Sequence, residues 1–161
     1  MRYASAVYQP ELTGLQLNGL LPTYTTNKRS PMSINTIVTT EGKFSHERFH
    51  FASATESNGF LFCSGVIGAD ERGKIPADIS EEFHNAWKAV GSLLKEVNAD
   101  YSSIMEYTTY HVGLQQHMAT FMAIRDEYLT EPWPAWTAIG ITELAISGAH
   151  VEIRVTARLP D

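Results

Sequence analysis

Hydrophobic and polar positions alternate most regularly near the C-terminal end. There, Val151-Glu152-Ile153-Arg154-Val155-Thr156-Ala157-Arg158-Leu159 puts Glu152, Arg154, Thr156 and Arg158 on one side of a predicted strand. Just upstream, Trp136, Ala138 and Gly140 alternate with Thr137, Ile139 and Ile141, which predicts a second strand with two distinct faces. Its aliphatic face is expected to pack on the core. The other face sets one large indole beside two of the smallest residues and so leaves space next to an aromatic wall. Glu152 opposite that space makes a candidate site, although a solvated sheet face is the plainer reading of the same spacing.

The chain begins less regularly. Residues 1–32 mix Tyr, Thr, Leu and Asn with Pro10, Pro22 and Pro31 and hold no sustained period. They are expected to form a poorly ordered extension to a single domain over 33–161, with Met32-Ser33 a reasonable translation start. Leu12 to Leu21 is interrupted by Gln16 and Asn18, which makes a poor signal-peptide core. Glu11 is the only acid in this stretch, so a mitochondrial address stays open.

Ile34 to Thr40 reads as a short edge strand. His46-Glu47-Arg48-Phe49-His50 matches H-E-x-x-H, a pattern that binds zinc when a helix presents both histidines. The flanks Gly42-Lys43-Phe44-Ser45 and Phe51-Ala52-Ser53-Ala54-Thr55 read as too short and too β-like for that helix, and no third ligand is indicated. A zinc site is therefore not expected. Gly59 to Cys63 is an apolar strand ending in Ser64-Gly65, followed by Val66-Ile67-Gly68 and a polar turn. Asp78 opens the clearest helix as an N-cap, with Glu81 placed for a capping box. Ile79, Phe83, Ala86, Trp87, Val90, Leu93, Leu94 and Val97 form its apolar stripe, His84 and Lys88 face outward, and Asn98 is a stop.

Ser103 to Val112 is a third long strand, with Glu106, Thr108 and Tyr110 on one side and His111 near its end. A lone histidine there is more often structural than catalytic. Gln116 to Leu129 is a second helix striped by Met118, Phe121, Met122, Tyr128 and Leu129. Arg125 falls inside that stripe. It either snorkels to the surface or aims its guanidinium at a carboxylate or a pocket. Pro132 and Pro134 then break the helix. The order describes an α+β domain, a mixed sheet with two helices on one face, whose other face invites a second subunit.

Composition narrows the function. At 161 residues, 43% hydrophobic and 19% charged, the chain suits one domain with a real core. A formal net charge of -6 opposes nucleic acid as a partner, because tracking phosphates needs clustered Lys and Arg. Cys63 is the only cysteine, which rules out an intramolecular disulfide and a thiolate metal cluster and fits a reducing, cytoplasmic setting. No apolar run approaches the roughly 20 residues of a membrane span.

From about Phe49 to Leu159 the chain resembles the Rid family (RidA/YjgF, the reactive intermediate deaminases), in its YjgH-like branch. The residues that carry the likeness are Phe51-Ala52-Ser53-Ala54, Leu61 to Gly68, Phe121-x-x-Ile124-x-x-x-Tyr128, Pro134-Ala135-Trp136-Thr137 and Val151-Glu152-Ile153. Thr109-Tyr110-His111 and the run from Trp136 to Thr142 mark the branch. The resemblance implies a chorismate-mutase-like α+β fold, a homotrimer with a small-molecule pocket at each subunit interface, and no metal or organic cofactor. Typical members hydrolyse enamines and imines such as 2-aminoacrylate to 2-keto acids and ammonia.

The residues carried over are Glu152, as the glutamate that handles water, and Ser64-Gly65. Trp136 stands where the carboxylate-gripping arginine is expected, Phe51 where a pocket tyrosine is expected, and Arg125 where an asparagine is expected. His111 and Ala138 complete the expected ligand-binding set. Two functions follow. One is a hydrolase for an enamine, imine or related carbonyl compound other than 2-aminoacrylate, with backbone groups near Ser64-Gly65 polarising the substrate. The other is a non-catalytic trimeric ligand-binding or protein-stabilising module. RNA cleavage is disfavoured by the charge.

Overall fold

The computed structural model describes residues 33–160; the extension expected over 1–32 lies outside the described residues. The elements run β1 (Asn35–Ile37), α1 (Lys43–Phe49), β2 (Ala54–Ser57), β3 (Phe60–Cys63), β4 (Val66–Ile67) and α2 (Ile79–Lys95). A 3-10 turn (Tyr101–Ser103) then leads into β5 (Ile104–Val112), α3 (Leu114–Arg125), β6 (Ala135–Ile141) and β7 (Val151–Arg158). This is the expected α+β class, with one more helix than the periodicity predicts. The segment around H-E-x-x-H, read as too β-like for a helix, is the short helix α1, and it stops at Phe49 because His50 turns into the left-handed region at φ 60°. His46 is thus on the helix and His50 just beyond it.

The strands form one mixed sheet in the order β1-β2-β3-β7-β5-β6, with β4 also paired to β7. Only β5 and β6 run parallel among these pairs. The strand that alternates most cleanly in sequence is therefore an inner one. Val151, Ile153, Val155 and Ala157 of β7 are buried under the helices, while Glu152, Arg154, Thr156 and Arg158 point to the opposite, open face.

The core is aromatic at its centre. Trp87 of α2 lies 5.5 Å from the Tyr107 ring, 6.2 Å from Phe121 and 6.0 Å from Tyr128, stacking on the last at 17°. The apolar stripe of α2 predicts these contacts, since Phe83, Ala86, Trp87, Val90, Leu93 and Leu94 are all buried. His84 is only half-buried and sits 2.9 Å from the Tyr128 hydroxyl. Asp78 does cap the helix, but it accepts from Ser80 N at 2.9 Å; Glu81 remains exposed.

Glu82 is the unexpected member of this core, with 0% exposure. Its Oε1 accepts from the amides of His150 (2.6 Å) and Val151 (3.1 Å), and its Oε2 lies 2.8 Å from His150 Nδ1. Position 82 falls three residues after Ile79 and four before Ala86, so it sits on the apolar stripe. A buried carboxylate persists only when hydrogen-bonded, and here it holds the start of β7 against the first turn of α2. Glu82→Ala leaves two buried amides without an acceptor and is expected to destabilise the fold by roughly 3 kcal/mol. Glu82→Gln keeps one acceptor oxygen and should lose clearly less. Urea denaturation midpoints of the two variants check the order.

Candidate functional site

Between β3 and β4 the chain takes one extra residue. Phe62 pairs with Thr156 and Val66 with Ile153, four steps on one side against three on the other. The bend falls at Ser64-Gly65 and lets both short strands follow β7. Ser64 is tied back to the segment after α1: its amide donates to Ser53 O at 2.9 Å and its hydroxyl to Ala52 O at 2.7 Å. Both donors of Ser64 are therefore committed within the fold, which leaves the hydroxyl oxygen as an acceptor and the Gly65 backbone to meet a ligand. Phe51, one residue before Ala52, is 47% exposed.

Glu152 reaches this bend from β7. A Cβ on Gly65 would overlap Glu152 Oε1, so only glycine lets the carboxylate lie against the backbone. Glu152 is half-buried, and burial holds its carboxyl above the ordinary carboxylate pKa. Arg154 projects from the same face of β7 and, with Ala52, Thr55, Phe62 and Ser64, lines a shallow cavity of about 260 Å³. Ser64, Gly65 and Glu152 thus belong to one neighbourhood on the open side of the sheet, with Phe51 exposed one residue before Ala52 of the cavity.

Trp136 belongs to another. Pairing with β5 sets Trp136 beside Tyr107, Thr137 beside Thr108, Ala138 beside Thr109 and Ile139 beside Tyr110. Tyr107, Thr109 and His111 face the helices, so Trp136, Ala138 and Gly140 do too, and Thr137 and Ile139 face outward. The expectation from alternation was the reverse, with the aliphatic face in the core. Aromatic packing decided the matter: the indole stacks on Tyr107 at 5.7 Å and 10°, lies 6.0 Å from Phe121, and donates Nε1–H to Thr109 Oγ1 at 2.9 Å. Ile139, left outside, is 39% exposed. Within one chain, the indole and Glu152 are therefore on opposite faces of the sheet and do not share a pocket.

Arg125 ends α3 next to this indole. Its guanidinium carbon lies 4.8 Å from the Trp136 ring centroid. Nε and Nη2 both donate to Asp126 Oδ1, at 2.9 and 2.6 Å. Burial opposes its charge, but the bonds to Asp126 and Tyr107 outweigh it and raise its pKa above the ordinary value. It is neither a free snorkelling side chain nor part of the Glu152 neighbourhood. Helix α3 itself is shorter than predicted, ending before Tyr128 and Leu129, and Met122 is 39% exposed. His111 is fully buried with its ring edge-on to Phe121 at 4.7 Å. Burial, and then the nearby His117, push its pKa down to about 4, so it is a neutral core residue facing away from Glu152. Among the described residues no group of three or more His, Cys, Asp or Glu is placed to hold a metal ion.

Sequence reasoning did not foresee Tyr107 and Asp126 around Arg125, nor Arg154 beside Ser64. Arg154 had a signal, its place two residues along the Glu152 face; the other two depend on how α3 meets β5 in space.

A mixed sheet with helices on one face, and a half-buried glutamate against a Ser-Gly bend on the other, defines the class of domain. The comparisons make it specific. Residues 45–159 match the family described as Endoribonuclease L-PSP, and the chain belongs to this family, also called YjgF. The RutC family protein YjgH of Escherichia coli (strain K12) is 30% identical over 112 residues, 69% of this chain and 84% of that protein. Reactive Intermediate Deaminase A, chloroplastic, of Arabidopsis thaliana is 30% identical over 111 residues, 68% of this chain and 58% of that protein. A solved structure of protein YJGH superposes with a TM-score of 0.67 at 25% identity, over 84% of this chain and 99% of that one.

The raised carboxyl pKa of Glu152 has a thermodynamic consequence. Its folded-state pKa exceeds the unfolded one, so the native state holds this proton longer and stability falls as pH rises through the carboxylate range. Glu152→Gln removes that dependence. The variant is expected to be at least as stable as the parent at pH 7, with the advantage shrinking as pH falls below Glu152's own pKa. Denaturation midpoints measured across pH 4 to 8 check both sign and window.

Proposed function

We propose that this protein is a cofactor-independent hydrolase acting on an enamine, imine or related carbonyl compound other than 2-aminoacrylate. The observation that carries the reading is Glu152, half-buried and pressed against Gly65 with a carboxyl pKa above the ordinary value. Burial disfavours its charged form, which makes this carboxylate a better proton acceptor than an ordinary one. As a water oxygen bonds to the carbon of a C=N group, the carboxylate takes a proton from that water. It passes that proton to nitrogen to give a carbinolamine, then carries the remaining hydroxyl proton to nitrogen as the C–N bond breaks and C=O forms, and a carbonyl compound and ammonia leave. The name of the Arabidopsis thaliana relative, a reactive intermediate deaminase, supports this chemistry without fixing its substrate.

We also propose a cytoplasmic homotrimer. Phe62, Ile139 and Met105 leave 43%, 39% and 49% of their surface uncovered, which supports a second chain against the sheet. A neighbouring subunit would bring its Trp136 edge to the Glu152 side of this one and so complete a pocket that one chain lacks. A chain beginning at Met32 is expected to keep the trimeric mass in light scattering; a monomer would assign the assembly to the first 31 residues.

The substrate preference follows from Trp136. With an indole at this place on β6, no guanidinium extends from the strand to orient a small carboxylate, and near-attack geometry suffers. Supplied with 2-aminoacrylate by a serine dehydratase, the protein should accelerate pyruvate formation by far less than a typical family member. Rates equal to such a member would overturn the assignment. Trp136→Arg alone should restore little, because Arg125 is seated on the same indole and the two positions are coupled.

A non-catalytic ligand-binding module is the second reading. What favours it is Ser64, whose amide and hydroxyl protons are both spent inside the fold. Ammonia release across a panel of imines, with Glu152→Gln as the control, separates the two.

A further inference from the structure

Glu82 does more than hold the start of β7. Its Oε1 takes up the amides of His150 and Val151, while its Oε2 lies 2.8 Å from His150 Nδ1. An ionised carboxylate only accepts, so Nδ1 carries the proton of the neutral imidazole and the lone pair is left on Nε2. The His150 side chain is 37% exposed against 0% for Glu82, so a solvent-reaching ring rests on a buried carboxylate. His150 also lines a cavity of about 340 Å³ formed with Val112 and residues 142–149, among them Thr142, Glu143 and Ser147. Securing β7 accounts for the two amide bonds. It does not require a histidine at position 150.

A second imidazole stands beside this one. His117, in the first turn of α3, has its ring centroid 5.6 Å from that of His150, with the two planes crossed at 75°. Its ring lies over Gly113, where a Cβ would come within 3.1 Å of Cδ2. No hydrogen bond or ion pair among the described residues engages the His117 ring nitrogens. A tetrahedral zinc, with Zn–N of about 2.1 Å, holds two imidazoles with their centroids roughly 5 Å apart. The pair is therefore within a side-chain rotation of sharing one ion. Metal-bound histidines characteristically give their second N–H to a carboxylate, which fixes the tautomer and raises the basicity of the ligand nitrogen. Glu82 already stands in that relation to His150.

We propose that His150 and His117 form a binding site for a divalent transition cation such as zinc or nickel, with Glu82 as the carboxylate that orients His150. Imidazole nitrogen suits these ions, whereas magnesium and calcium take oxygen ligands. No third His, Cys, Asp or Glu is placed to join them among the described residues, so water fills the remaining positions. Bound there, the ion ties the first turn of α3 to the start of β7 and stabilises the fold by mass action. The site lies where α2, α3 and β7 meet. It takes no part in the hydrolysis proposed above and does not depend on it.

The test uses the untagged full chain, stripped of metal by a chelator, with Zn²⁺ and Ni²⁺ alone as probes in calorimetry. One equivalent of each is expected to bind, and Mg²⁺ is not. His117→Ala and His150→Ala should each weaken Zn²⁺ about tenfold or more. His46→Ala, which removes the first histidine of the H-E-x-x-H stretch, should leave Zn²⁺ affinity unchanged. In Glu82→Gln the two amides claim the side-chain oxygen, so an NH₂ faces Nδ1 and the ring proton moves to Nε2, the ligand atom. Its Zn²⁺ affinity should drop about tenfold or more, and nitrogen NMR of His150 should show the tautomer reversed. If Glu82→Gln does not fold, the two histidine variants decide. The proposal is overturned if the parent binds neither ion, if the His117 and His150 variants bind as the parent does, or if His46→Ala abolishes binding. Equal Zn²⁺ affinity in the parent and a folded Glu82→Gln would overturn the positioning role of Glu82.

Discussion

Glu82 brings a carboxylate into the core at the first turn of α2, and the amides of His150 and Val151 converge on it. Those amides open β7, the strand to which β3, β4 and β5 are all paired. Because side chains alternate along a strand, a slip of one residue would send Glu152 into the core and Ile153 out to the open face. An acceptor that fits only these two successive amides opposes such a slip. Gly68 at the end of β4 shares the constraint, since a Cβ there would run into the backbone of Glu82. The placing of the candidate catalytic carboxylate thus depends on a second carboxylate buried on the other side of the sheet.

From that anchor the two functional neighbourhoods follow. On the open face, the bend at Ser64-Gly65 brings the backbone against Glu152. On the helix face, parallel pairing of β5 and β6 stacks Trp136 on Tyr107 and sets Arg125 above both. The sheet separates them, so within a single chain the half that holds Glu152 and the half that holds Arg125 and Trp136 are not joined.

Polar groups were divided by the same logic. His111, on the helix side of β5, was absorbed into the core beside Phe121 and stays neutral under burial. Its register partner across β7 is Val151, and Tyr110, one residue earlier, pairs with Glu152 on the open face. One position along a strand therefore decides whether a titratable group becomes packing or chemistry.

Much of this architecture could be read from residue order alone. The strict alternation of β7 and the apolar stripe of α2 each arise from a local period, and a local period survives into the fold because it needs only one buried face. The outward facing of Glu152 followed from the same alternation, whereas Ser64-Gly65 was singled out by the resemblance and not by a period. Helix α1 was not, because its seven residues bury none of their side chains and leave no apolar period. The facing of β6 was not legible either. Trp136-Thr137-Ala138-Ile139 alternates between an aromatic face and an aliphatic one, and both are hydrophobic enough for a core. Only the register with β5, and the fit of an indole among Tyr107, Phe121 and Arg125, chose between them. Alternation determines that two faces differ; which one is buried is settled by the shape of whatever packs against it.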